Sequence, residues 1–151
     1  MPYEQIIQVI AAFVGTLGFG FLFNIRGKKL LLAATGGMLS WVLFLALCPL
    51  TESEVLRYFL VSALITVYSE VLARCLKTPS ATFCIVSLVP LVPGSGLYYT
   101  MANALGGNAE GFVSKGLHTL ELTAALSLGI VLVTALFRKR SKNGTNRIKN
   151  E

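Results

Sequence analysis

Aspartate is absent from this chain of 151 residues, and histidine occurs once, at His118. Hydrolytic and metal-dependent chemistry needs clustered carboxylates, imidazoles or thiolates, and so poor a supply argues against an enzyme. The cysteines, Cys48, Cys75 and Cys84, are scattered, and none stands at metal-ligand spacing. They read as small, polarizable packing residues. No P-loop or other nucleotide motif is present. No cofactor and no metal is expected. Charge is scarce as well. Only 13% of residues are charged while 54% are hydrophobic, against roughly 25% charged in a soluble domain. So few charges cannot wrap a core that apolar, and the solvent for most side chains must be lipid.

What is present is a series of long apolar stretches. Five of them come near the roughly 20 residues that a spanning helix needs: 5–23, 30–48, 55–73, 80–105 and 117–137. They are apolar on all faces, unlike amphipathic surface helices. Short linkers separate them, at 24–29, 49–54, 74–79 and 106–116. The segment Met1-Pro2-Tyr3-Glu4-Gln5 has no basic residue, and no small-residue cleavage site follows the first run. The first span is therefore expected to be retained rather than removed as a signal peptide. The expected fold is an all-α integral membrane protein with about five transmembrane helices. A single transmembrane domain covers 1–140, and a basic cytoplasmic tail covers 141–151.

Basic residues orient the spans. Arg26, Lys28 and Lys29 lie in the first linker, Arg74 and Lys77 in the third, and six more after the last span, so that 11 of 13 fall on one side. Only Arg57 and Lys115 face the other, along with Glu4, Glu52, Glu54 and Glu110. The positive-inside rule predicts an N-terminus outside and a tail in the cytoplasm. The net charge of +6 then needs no nucleic-acid partner, since Arg138-Lys139-Arg140-Ser141-Lys142 reads as a topology anchor drawn to anionic lipid. Asn143-Gly144-Thr145 is a chance match to a glycosylation acceptor on that side. Small residues four apart (Ala11 and Gly15, Ala33 and Gly37, Gly36 and Ser40, Ala125 and Gly129) predict close helix packing.

The fourth stretch breaks its own helix. Pro90, Pro93, Gly94 and Gly96 interrupt it near mid-depth, and proline removes an intrahelical hydrogen bond. An unpaired backbone group in hydrocarbon costs several kcal/mol, so such a break must face protein or a water-filled cavity. Transporters commonly bind substrate at interrupted helices. The amides of Gly94, Ser95 and Gly96 are expected free for an anion, and the carbonyls of Val86 and Val89 free for an ammonium or a cation. Gly94 is expected to be a position of close approach. Ser87, Pro90, Pro93, Gly94, Ser95, Gly96, Tyr98, Tyr99 and Asn103 form the expected substrate path; the alternative is a kink that only shapes the bundle.

Further polar groups lie within spans or at their ends. Glu70 and Arg74 share a helix face and read either as an interfacial ion pair or as a protonatable carboxylate at a cavity mouth. His118 and Glu121 read as a proton relay or as an interface pair. Asn24, with Arg26, is expected to cap the end of the first helix.

The run Phe23-Asn24-Ile25-Arg26-Gly27-Lys28-Lys29, followed by Val89-Pro90-Leu91-Val92-Pro93-Gly94-Ser95 and Tyr98-Tyr99, resembles the threonine/serine exporter family. More narrowly, it resembles the small separate subunit corresponding to the C-terminal membrane half of fused exporters. The resemblance implies a secondary transporter in a bacterial cytoplasmic (inner) membrane, exporting a threonine/serine-like amino acid or a dicarboxylate such as succinate. It also implies a second membrane subunit as partner. Five spans is an odd number, so two such units in series have opposite orientations, as in an inverted repeat. Two other readings remain: a structural or assembly subunit without its own substrate site, and a membrane enzyme.

Overall fold

The computed structural model describes residues 2–148, with side chains described for 3–139. The expected tail, 141–151, lies outside the described side chains. The chain runs through α1 (Pro2–Leu22), α2 (Lys28–Leu47), α3 (Glu54–Leu76), α4 (Ser80–Leu88), a 3-10 turn (Val89–Leu91), α5 (Gly94–Leu105) and α6 (Ala109–Ile148). Among the described residues, α1, α2, α3 and α6 are long and apolar enough to cross a membrane. The two parts Ser80–Leu91 and Gly94–Leu105 make a fifth crossing if the pair, bent by 57°, is one span.

Local chemistry sets the helix ends. Asn24 is left-handed (φ 55°), and the amides of Asn24 and Ile25 donate to the carbonyls of Phe21 and Gly20 (2.9 Å each). That is a Schellman ending, completed by buried Ile25 and by Arg26 Nε donating to Asn24 Oδ1 at 3.1 Å. Lys77 and Gly107 end α3 and α5 in the same left-handed way. Ser53 caps α3, its hydroxyl accepting from Leu56 N. Asn108 caps α6, with Gly111 N donating to its Oδ1 at 3.0 Å. This cap corrects the expected linker at 106–116: α6 starts at Ala109 and runs through Gly111 and Gly116.

In lipid, association rests on close backbone approach and interhelical hydrogen bonds rather than on a hydrophobic drive. Helix α2 shows both. Ala33 and Ala34 are fully buried, Gly37 packs on Thr16 of α1, and Gly36 packs on Ser87 of α4 and Tyr68 of α3. Tyr68 Oη donates to Leu32 O at 2.9 Å, and Ser87 Oγ donates to Ala33 O at 3.2 Å. Gly129 of α6 lies against Ser62 and the backbone of Phe59 and Ala63 on α3. The pair Ala11 and Gly15 instead lies on the exposed side of α1. Helix α3 is thus flanked by α2, α4 and α6, while α5 lies along α6.

Candidate functional site

The break between α4 and α5 is tightly bonded. Helix α4 gives way to the 3-10 turn as Val89 N donates to Val86 O, and Val92 N donates to Val89 O at 3.1 Å. The carbonyls of Val86 and Val89, expected to be free, are therefore paired, because switching from i→i−4 to i→i−3 bonding recovers what proline removes. Pro93 has φ −74° and ψ 64° and is the centre of an inverse γ-turn, closed by Gly94 N donating to Val92 O at 2.7 Å. That turn takes the Gly94 amide as well. Ser95 and Gly96 keep the first unbonded amides of α5, since Leu97 N donates to Pro93 O.

The expected close approach also moves. A Cβ added at Gly94 meets nothing within 4 Å, whereas one at Gly96 meets Thr119 Oγ1 of α6 at 2.5 Å. Gly96 is what lets α5 lie on α6. Ser87 is fully buried and committed to Ala33 O. Pro93 is buried and Pro90 half-buried, while Ser95, Tyr98 and Tyr99 are exposed, with the two tyrosine rings edge to face at 5.4 Å. Asn103 donates to Tyr99 O at 2.8 Å and accepts from Asn108 at 3.2 Å, so it finishes a helix end. Taken singly, these side chains do not gather around one enclosed space.

A cavity does lie beside them. Helices α4 and α6 both pack on α3 without making a substantial contact with one another, and the gap is a cleft of about 430 Å³. Its floor is α3, with Thr66, Ser69 and Glu70; its walls include Ser80, Cys84 and Leu88 of α4 and Ile130 and Thr134 of α6; Val92 brings the break to one end. Thr66 Oγ1 donates to Ser62 O at 2.7 Å and stands 3.8 Å from Cys84 Sγ. Ser69 is fully buried, and its Oγ has no partner. Ser62, Thr66 and Ser69 escaped the reading of the sequence, although their i, i+4, i+7 spacing within an apolar span marks one polar stripe.

Glu70 lines both this cleft and a shallower depression formed with Arg74, Phe137 and Arg138. The expected pair with Arg74 is not formed. The guanidinium of Arg74 instead donates to Phe137 O at 3.4 Å and covers the Phe137 ring at 4.9 Å from its centroid. At the other end of α3, His118 Nε2 is 3.2 Å from Glu54 Oε2 and its Nδ1 is 3.9 Å from Glu121 Oε2, all three side chains being substantially exposed. Glu54 is a partner that no sequence spacing would suggest.

No curated protein and no solved structure matches the chain. The family model described as Threonine/Serine exporter, ThrE matches residues 8–136, from α1 to within the apolar part of α6. An apolar helical bundle with four to five candidate crossings agrees with a multi-pass membrane protein. The chain belongs to the threonine/serine exporter family.

Proposed function

We propose that the chain is one subunit of a secondary transporter that exports a small polar acid across a bacterial cytoplasmic membrane. The substrate is a threonine/serine-like amino acid or a dicarboxylate such as succinate. The observation that carries this reading is the cleft between α3, α4 and α6, which ends at the break in the fourth span. Broken spans beside cavities are where transporters hold substrate. The path runs past Ser95 and the exposed Tyr98 and Tyr99, then along the cleft to Glu70.

The working unit contains a second membrane subunit. The cleft is open along the side where α4 and α6 do not meet, and α5 has no buried residue of its own. An N-outside unit with five crossings is one half of an inverted repeat, and its partner supplies the missing wall. The basic linkers lie in the cytoplasm, as the positive-inside rule requires.

The test is efflux from proteoliposomes loaded with L-threonine or succinate, containing this chain alone, with a candidate partner subunit, or neither. Efflux only when both subunits are present is the expected result. Full efflux from this chain alone overturns the two-subunit reading, and failure of both substrates in every combination overturns the exporter reading.

A further inference from the structure

We infer that the cleft between α3, α4 and α6 is itself the binding site for an amino-acid zwitterion, held by Ser69, Glu70 and the uncapped start of α4. The inference rests on the exporter reading above and moves the principal contacts from the turn at Pro93 to the far end of the cleft.

Three groups with unmet needs border the cleft. The first is Ser69. Its neighbours on the same stripe satisfy themselves locally, Ser62 Oγ donating to Phe59 O at 2.9 Å and Thr66 Oγ1 to Ser62 O at 2.7 Å. Ser69, equally buried, does neither. A buried hydroxyl without a partner costs about 1–3 kcal/mol, a cost that a polar group entering the cleft removes.

The second is Glu70. It is half-buried on the cleft floor and makes no ion pair among the described residues, since Arg74 is turned onto Phe137. A carboxylate at the edge of hydrocarbon calls for a cation or a proton, and an ammonium group supplies both charge and donors. The third is the start of α4. Pro79 stands at its N-cap and provides no side-chain cap, while Ser80 and Ala81 line the cleft. The first amides and the helix dipole there favour a carboxylate.

A small hydroxy amino acid answers all three, with its ammonium at Glu70, its carboxylate at the amides of Ser80 and Ala81, and its hydroxyl at Ser69. The cleft's volume of about 430 Å³ falls within the ~300–1,000 Å³ typical of small-molecule sites. A dicarboxylate fits less well, because its second anion would face Glu70. Arg74 and Arg138, at the adjoining depression, attract a carboxylate toward the mouth without replacing the charge at Glu70.

Cys84 is a natural reporter, because it lines the cleft while Cys48 and Cys75 are exposed elsewhere. The full chain carrying Cys48→Ser and Cys75→Ser is labelled in membranes with a small maleimide, with or without L-threonine or succinate. Ile85→Cys, at an exposed position on the same wall of the cleft, is labelled likewise in a background that also carries Cys84→Ala. L-threonine is expected to slow both reactions and succinate is not, and Glu70→Gln is expected to abolish the protection. Glu70→Gln should lower threonine export about tenfold at unchanged protein level, with Glu70→Asp less affected. If membranes export L-threonine while both thiols react at the same rate with and without it, the site lies elsewhere and the exporter reading stands. Protection by succinate but not by L-threonine overturns the zwitterion assignment. Export of succinate but not of L-threonine likewise overturns the zwitterion assignment, and no export of either from membranes holding both subunits removes the reading on which the inference rests.

Discussion

Alanine at Gly96 and alanine at Gly94 should have opposite effects. The two glycines open the same helix, but only Gly96 lies against a neighbour. A Cβ there stands 2.5 Å from Thr119 Oγ1, 3.2 Å from its Cγ2 and 3.4 Å from its Cβ. Rotating Thr119 exchanges one branch for the other, and it also breaks the bond from Thr119 Oγ1 to Lys115 O, at 2.7 Å. Overpacking of this kind costs about 1–3 kcal/mol, and the lost hydrogen bond adds about 0.5–1.5 kcal/mol. The gain from replacing glycine in a helix returns about 0.5–1 kcal/mol. A net loss of about 2 kcal/mol corresponds to a fall of about 4–8 °C for a chain of this length. At Gly94 there is nothing to collide with, so alanine should raise stability by about 0.4–1 kcal/mol through the unfolded chain. Thermal unfolding of the purified full chain in detergent reads both. Adding Thr119→Ala to Gly96→Ala should recover most of the loss. If Gly96→Ala melts with the wild type, or Gly94→Ala melts several degrees below it, the assignment of the close contact to Gly96 is wrong.

Gly129→Ala should be more damaging than Gly96→Ala, because the new methyl meets Phe59 O at 2.8 Å and Ala63 N at 3.1 Å, backbone atoms that cannot rotate away; the same melting assay decides it. Reporter fusions after Lys29, Lys77 and Glu151 should report the cytoplasm, and fusions near Glu54 and Gly107 the outside; an external signal from the C-terminal fusion would sink the proposed topology. His118→Gln should shift the melting temperature by no more than about 4 °C, since an exposed ion pair contributes about 0–1 kcal/mol. A larger fall would mean that the contact from His118 to Glu54 holds α3 and α6 together.

The apolar runs located the helices well, because in lipid a span must be apolar along its whole length and the linkers carry the charge. The interruption at Pro90 and Pro93 was equally plain. Its bonding was not: proline says which bond is lost, and only the backbone path shows that Val86 and Val89 find i+3 donors. The glycines at 111 and 116 concealed the start of α6, which Asn108 fixes by a single side-chain cap. Glu70 and Arg74 share a face as their spacing requires, yet the Phe137 ring and carbonyl draw the guanidinium away. The cleft was the least legible feature, since it arises from two helices that fail to touch. Even so, the Ser62, Thr66 and Ser69 stripe, whose last two members lie on its floor, was open to view in the sequence.

The turn at Pro93 has a mechanical consequence. Its amides and carbonyls are engaged, proline fixes its φ, and Gly96 fastens the following helix to α6. One arm of the bent span is therefore a wall of the cleft, and the other arm is strapped to the opposite wall. The two walls are thus tied together at one end as well as seated on α3. They are joined near Val92 and unjoined at the far end, where Ser80 of α4 and Thr134 of α6 flank Glu70 on the floor. The elbow end of the cleft is thereby fixed in width, and the width of the far end depends only on how α4 and α6 each sit on α3.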